Sequence, residues 1–299
     1  LSSLRQSVPL QDLADGQTCL KGDWAGAKFS PERKQVCKDS LDWGKTKRAS
    51  NRFEALMAYH HITEAQQYIQ GLGLAPVNAE RQNVIANPIP DDNSFYLPSA
   101  DEIQLGTGGV DDGEDADVIV HEYGHAVQDA QAPDAFRAGG NQVGAMGEGF
   151  GDYLAAAYST EKAGPDPEWT PCIMEWDATS YDDRSTPPPG ICLRRADDPS
   201  SRQQQLNQCG TAQDIHCMGQ IWSSALLDLR TELGLDAESD SVADTLVLAS
   251  HFLLPDDPSF EEAAGAIIDA DSTIYGGTHC VALGTEFEDR GFGQFVAAC

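Results

Sequence analysis

Five consecutive residues, His121-Glu122-Tyr123-Gly124-His125, carry the strongest chemical signal in the chain. On a helix, the i, i+4 spacing puts both imidazoles on one face a single turn apart, where two nitrogens converge on one ion. Glu122 lies about 100° round the helix from His121, so its carboxylate is offset from that pair but reaches a water beside the metal. These residue types in this order point to zinc, with Glu122 as general base. A catalytic zinc site takes three protein ligands, keeps one position open, and draws its third ligand from a second element. Glu148, in the run Gly147-Glu148-Gly149-Phe150-Gly151-Asp152, is the candidate. Asp152 follows one turn later, placed to accept the other ring N–H of His121 and fix its tautomer.

The elements that must hold these groups are visible as texture. Ile119, Tyr123, Ala126, Val127 and Ala130 recur at helical spacing, so the pentapeptide sits on a helix with one buried face. A second helix, from about 147 to 159, carries Glu148 and Asp152. Upstream, 49 to 69 has the loose period of a helix that Gly71 and Gly73 stop. Residues 83–86, 94–97 and 103–105 are strand-compatible, separated by Pro88, Pro90, Pro98 and a glycine-rich turn at 106–109. The first 45 residues are polar and turn-rich, and 160–212, rich in Pro, Asp and Cys, lacks periodicity. Loops of that length are commonly functional. Trp222, Leu226, Leu229 and Leu233 restore helical spacing, and 238–254 and 259–270 extend it. Strand signals before residue 110 and helices after it predict an α+β architecture.

Composition narrows the function classes. A chain of 299 residues buries a full core. Its 48 acidic side chains against 19 basic give a formal charge of −29, which argues against nucleic acid and against anionic membrane as partners. No apolar run approaches the roughly 20 residues that span a bilayer. Eight cysteines stand in loop-like contexts without CxxC pairs, the mark of a disulfide framework laid down in an oxidising compartment. Pairing sequence neighbours (Cys19 with Cys37, Cys172 with Cys192, Cys209 with Cys217, Cys280 with Cys299) closes short loops, although spacing alone leaves the connectivity open. The sequence opens at Leu1 with neither a basic n-region nor an apolar h-region, so a mature, processed form is expected.

The pentapeptide followed by Gly147-Glu148-Gly149-Phe150-Gly151-Asp152-Tyr153 resembles the gluzincin metallopeptidases, and most the fungalysin family and its bacterial relatives, which share a thermolysin-like catalytic domain. The resemblance covers roughly residues 50 to 290. It implies a two-lobe α+β fold: an N-terminal lobe with the edge strand over 1–115, a mainly helical C-terminal lobe over 116–299, and the active-site cleft between them. It implies a secreted, extracellular zinc metalloendopeptidase that hydrolyses peptide bonds through a zinc-activated water. Its partners would be protein and peptide substrates and a propeptide removed in maturation, and the enzyme would be a monomer.

Further segments match in order. Asn93-Ser94-Phe95-Tyr96 resembles the edge strand on which such enzymes hold substrate backbone, assigning Asn93 and Ser94 to substrate binding. Leu193-Arg194-Arg195-Ala196-Asp197-Asp198-Pro199 resembles the segment whose arginine, here Arg194, binds the substrate carbonyl after the cleaved bond. Ile215-His216-Cys217-Met218-Gly219-Gln220-Ile221-Trp222 resembles the segment whose histidine, here His216, stabilises the oxyanion. Asp117, four residues before His121, matches a calcium-binding aspartate, and Asp111, Asp112, Glu114 and Asp115 crowd the same turn with hard oxygen ligands. The tyrosine that assists the oxyanion and the aspartate that orients its histidine have no assigned counterpart; Asp214 is near His216 but at a different spacing.

Two rival readings stay open. A zinc aminopeptidase shares the metal motif but needs acidic groups to capture a free amino terminus, and no G-x-M-E-N run precedes the helix. A non-enzymatic, secreted, acidic calcium-binding module would carry the motif incidentally.

Overall fold

The upstream strand signals are stable only because they pair with a strand that local sequence does not announce. In the computed structural model, which describes residues 7–13, 16–40, 42–136, 140–166, 169–181, 192–199, 202–209, 214–233 and 240–299, the chain begins with β1 (Ala25–Phe29) and β2 (Lys34–Gln35). Helix α1 (Asn51–Gly71) follows, then β3 (Gln82–Ile89), β4 (Phe95–Leu97) and β5 (Glu102–Gly106). These strands form one mixed sheet of order β2-β1-β3-β5-β4, in which β1, β3 and β5 are parallel and β4 and β2 run antiparallel at the two edges.

The strand expected at 83–86 runs on through Pro88, which fits because the register shifts between Ala86 and Ile89, where Asn87 adopts a positive φ of 57°. Strand β1 lies inside what the sequence presents as a turn-rich opening. Its small residues Ala25 and Ala27 are fully buried, and they let α1 pack against the sheet.

Downstream the chain is helical. Helix α2 (Ala116–Gln131) carries the metal motif, and α3 (Asn141–Ala163) carries Glu148 and Asp152. Helix α3 starts well before the expected 147, because Val143, Ala145 and Met146 already bury a face. The aperiodic 160–212 stretch contains β6 (Cys172–Ile173), the short α4 (Ala178–Tyr181), β7 (Arg194–Arg195) and α5 (Arg202–Gln208) among its described residues. Helices α6 (Ile215–Leu233), α7 (Asp240–Ser250), α8 (Phe260–Tyr275) and α9 (Cys280–Asp289) complete the chain. A single apolar core joins the sheet and α1 to α2, α3 and α6, giving a β-containing N-terminal region and a mainly helical C-terminal one.

Two glycine seams set the helix spacing. A Cβ on Gly124 would lie 3.0 Å from Gly151 Cα, so α2 and α3 approach with no side chain between them. At the α3–α6 contact, a Cβ on Gly149 would meet the Trp222 Cβ at 2.8 Å, and one on Gly219 would meet the Glu148 Cβ at 2.9 Å. Buried Asp244 of α7 fastens the far side, accepting from Tyr68 of α1, Tyr153 of α3 and, at 3.2 Å, Arg230 of α6.

All eight cysteines pair as sequence neighbours: Cys19–Cys37, Cys172–Cys192, Cys209–Cys217 and Cys280–Cys299. Among the described residues, no helix is long and apolar enough to cross a membrane.

His251 lies fully packed against Phe150, with its Nδ1 3.1 Å from Gln131 Oε1, and burial pulls its pKa from 6.5 down to about 3. Below pH 6.5 the unfolded chain takes up a proton that the native ring refuses, so stability must fall as pH drops from about 6.5 towards 3. A plot of urea midpoint against pH should slope upward across this window, by up to about 1.4 kcal/mol per pH unit from this group. A His251→Asn protein should have a shallower slope; an unchanged slope would remove His251 from the account.

Candidate metal centre and cleft

Helix α2 is held at its first turn by Asp115, whose carboxylate accepts from the Asp117 N–H at 2.9 Å. Most of the helix is buried, so His121 and Glu122 face protein rather than solvent. The two imidazole rings stand edge to face with centroids 4.9 Å apart, and both turn towards α3. Glu148 meets them there: its Oε2 is 3.3 Å from His121 Nε2 and its Oε1 is 3.7 Å from His125 Nε2. In a tetrahedron with bonds of about 2.0–2.1 Å, adjacent donors stand about 3.4 Å apart, so these side chains fit a zinc ion. One donor atom from each of the three lies within 4.8 Å of the others.

Behind the ligands, His121 Nδ1 lies 2.8 Å from Asp152 Oδ1. Asp152 is gripped in turn by Arg194, with Nη2 to Oδ1 at 2.7 Å and Nε to Oδ2 at 2.8 Å. The β6–β7 hairpin positions that arginine by pairing Ile173 with Arg194, and the Cys172–Cys192 disulfide closes the loop between the two strands.

Glu148, Glu122 and Asp152 converge on the site, and among the described residues only the Arg194 guanidinium faces them with fixed positive charge. Burial disfavours a charged His121, yet hydrogen bonds to Asp152 and Glu148 lift it from 6.5 to about 10. Burial pushes Glu122 up from 4.5 to about 7. Burial would also raise Glu148, but the His121 hydrogen bond and the neighbouring imidazoles hold it well below the usual carboxylate range. Glu122 Oε2 is buried with no hydrogen-bond partner among the described residues, so that oxygen is free to accept a proton.

These groups line a cleft of about 940 Å³ whose other walls include Asn93, Ser94, Tyr96, Val118, Leu193 and His216. Strand β4 forms one wall with its unpaired edge, and its Tyr96 backbone N–H favours the ionised form of Glu122. Asn93 is exposed just before that strand. The Ser94 hydroxyl is already engaged, donating to Asp112 at 2.5 Å and accepting from the Gly106 N–H at 3.1 Å, so Ser94 faces the cleft with its backbone. His216 stands half-exposed at the start of α6, which the Cys209–Cys217 disulfide pins. Its Nε2 is 3.4 Å from Glu148 Oε2 and its Nδ1 3.2 Å from Asp214 Oδ1.

Asp214, which has no assigned counterpart in the sequence resemblance, lies against the His216 ring. Phe136, Met174 and Tyr181 also line the cleft, and no local pattern announced them. Asp117 lies outside the cleft: its carboxylate accepts from the Ser159 hydroxyl at 3.0 Å and the Met174 N–H at 3.1 Å.

The profile of the fungalysin metallopeptidase family (M36) matches residues 106–296. Extracellular metalloproteinase MEP of Pyricularia oryzae is 27% identical over 201 residues, 60% of this chain and 30% of that protein. Extracellular metalloproteinase 2 of Trichophyton tonsurans is 29% identical over 207 residues, again 60% of this chain and 30% of the relative. The chain thus aligns with under a third of the length of these curated relatives. Among solved structures, the precursor of protealysin, a metalloproteinase from Serratia proteamaculans, superposes with a TM-score of 0.65 at 15% identity, covering 95% of this chain and 91% of that one. That likeness establishes the fold.

The glycine seam yields a test of the metal centre. A Cβ at position 151 would come within 2.6 Å of His121 Nδ1 and 2.8 Å of its Cε1, so Gly151→Ala should push the ring off Asp152. Competition with a chromogenic chelator should show zinc affinity lowered by about 10–100-fold. Affinity equal to that of the parent protein would mean that His121 is not a ligand.

Proposed function

The chain belongs to the fungalysin metallopeptidase family, and from that premise we propose that it is a secreted zinc metalloendopeptidase in which His121, His125 and Glu148 hold the ion and Glu122 is the general base. The observation that carries this reading is the buried, unpartnered Oε2 of Glu122 beside three donors spaced for one zinc ion. A buried carboxylate oxygen without a partner is costly, and the non-enzymatic reading gives Glu122 nothing to do beside three metal donors, so it accounts for the site less well.

Zinc, when bound, supplies Lewis acidity towards water and the scissile carbonyl. The remaining work falls to the chain. Peptide backbone adds to the free edge of β4 beside Asn93 and Ser94, which places the scissile bond against Glu122. Glu122 removes a proton from the attacking water and returns it to the leaving amine. The imidazolium form of His216 donates from Nε2 to the developing oxyanion and from Nδ1 to Asp214, whose carboxylate stabilises that charged form. Asp152 holds His121 in the tautomer that presents Nε2 to the metal, and Arg194 keeps Asp152 ionised while its remaining N–H groups meet the substrate carbonyl beyond the cleaved bond.

Protein and peptide substrates, release from a propeptide and action as a monomer outside the cell belong to the same reading. Its supports are the disulfides, the charge of −29 and the extracellular metalloproteinases among the relatives. The structural neighbour is itself a precursor. The lobes would divide at residues 115 and 116, where α2 begins.

Glu122→Gln should retain one zinc per chain and lose about 10²–10⁴-fold in kcat/KM on an N-acetylated peptide cleaved internally. Turnover within threefold of the parent would defeat the general-base assignment, and failure of the parent on every blocked peptide would favour an aminopeptidase. His216→Ala should lower kcat by about 10²–10³-fold with little change in KM, as expected for a group that acts on the transition state. An effect confined to KM would make His216 a binding residue instead.

A further inference from the structure

The acids around the turn before α2 fall into groups whose charges are met differently. Glu54, Asp111 and Glu114 face Arg48, whose Nε lies 2.8 and 2.9 Å from the two Glu114 oxygens. Asp115 accepts from the backbone N–H groups of Asp117, Trp176 and Asp177, and Asp117 from Ser159 and Met174. The trio Asp92, Asp112 and Asp177 is different. One carboxylate oxygen of each lies within 4.8 Å of the other two. Asp112 and Asp177 are only 3% and 6% exposed, and Oδ1 of all three residues is sealed from solvent with no hydrogen-bond partner among the described residues.

The second oxygens are better served. The Ser94 hydroxyl donates to Asp112 Oδ2 at 2.5 Å, and the Ser180 hydroxyl to Asp92 Oδ2 at 3.3 Å. Among the described residues, no lysine or arginine pairs with any of the three. Arg194, whose charge reaches Asp177, is bound to Asp152. Three buried carboxylates facing one another without a counter-charge are strongly unfavourable as anions, and that cost must be offset by protons or by a cation among them.

We propose that Asp92, Asp112 and Asp177 form a calcium site that fastens one wall of the cleft. All the donors are hard oxygens, with no nitrogen or sulfur among them, which excludes a preference for zinc. Their separation of up to 4.8 Å falls within the roughly 5 Å that two calcium–oxygen bonds of 2.3–2.6 Å can span. Magnesium demands a near-ideal octahedron and keeps most of its waters, whereas three carboxylates fixed on three loops suit the looser geometry of calcium. The ion would join three separate segments: the loop leading to β4, the turn before α2, and the residue that opens α4. All three acids line the cleft, so calcium would brace the unpaired edge of β4 against the segment beyond β6. The site is distinct from Asp117, the residue the sequence offered as a calcium ligand, and it does not depend on the peptidase reading.

The test uses Glu122→Gln protein, which cannot digest itself if the peptidase reading holds, cleared of metal on a chelating resin and reloaded with one equivalent of zinc. Calorimetric titration with CaCl2 should show one calcium bound per chain, and a hundredfold excess over Kd should raise Tm by about 4 °C. Asp112→Asn and Asp177→Asn should each weaken calcium at least a hundredfold, whereas Asp117→Asn should not. If either variant fails to fold, Asp92→Asn, at a half-exposed position, gives the same comparison. Terbium offers a direct readout in the parent, because Trp176, adjacent to Asp177, should sensitise its emission and calcium should quench it by displacement.

Absence of calcium binding, equal binding in all variants, or loss only in Asp117→Asn would overturn the site. So would a cleavage preference for lysine or arginine that vanishes in Asp177→Asn while the parent binds no calcium, since the trio would then be a pocket for a substrate cation. A protein that binds calcium here yet hydrolyses no peptide would sink the peptidase reading and leave this site standing.

Discussion

The structure hinges on the hydrogen bond between His121 Nδ1 and Asp152, 2.8 Å long and sealed from water. An imidazole presents Nε2 to a metal only when its other nitrogen keeps the proton, and a buried carboxylate enforces this more firmly than a water would. Much of the surrounding architecture serves that contact. The Gly124–Gly151 seam brings α2 and α3 close enough for it, and the β6–β7 hairpin swings Arg194 behind Asp152. Without that guanidinium, Asp152 would be a buried, uncompensated charge, and pairing with it through two hydrogen bonds offsets the desolvation.

The centre of the site was legible because its geometry is local. Two histidines one turn apart on α2, and a glutamate and an aspartate one turn apart on α3, are periodicities that a linear sequence displays directly. The paired cysteines were legible for a similar reason, as each closes a short loop between sequence neighbours. Strand β1 was hidden: Ala25-Gly26-Ala27-Lys28-Phe29 lacks the β-branched residues that mark strands, and its stability comes from parallel pairing with β3, more than fifty residues away. The early start of α3 at Asn141 was also hidden, since burial of Val143 and Met146 against other elements fixes it.

The acids show the same division between local and distant information. In sequence, Asp92 and Asp177 look like two more members of a chain carrying 48 acidic side chains, and Asp112 like one of several acids crowding a single turn. Only the fold reveals that they meet, and only a record of their hydrogen bonds separates them from Asp111, Asp115 and Asp117, which are answered by Arg48, backbone N–H groups and Ser159. A sequence therefore locates the neighbourhood of such a site more readily than its members. The proposed zinc ligands and the acidic trio line one cleft, where divalent cations would neutralise part of the chain's negative charge.

The central claim is that one zinc ion sits between α2 and α3, and diffraction data collected on either side of the zinc absorption edge test it most directly. The account predicts one strong anomalous peak about 2.0–2.1 Å from His121 Nε2, His125 Nε2 and a Glu148 carboxylate oxygen, with the remaining position facing Glu122. A crystal grown with stoichiometric zinc that shows no peak there, or a peak ligated by other residues, would contradict it.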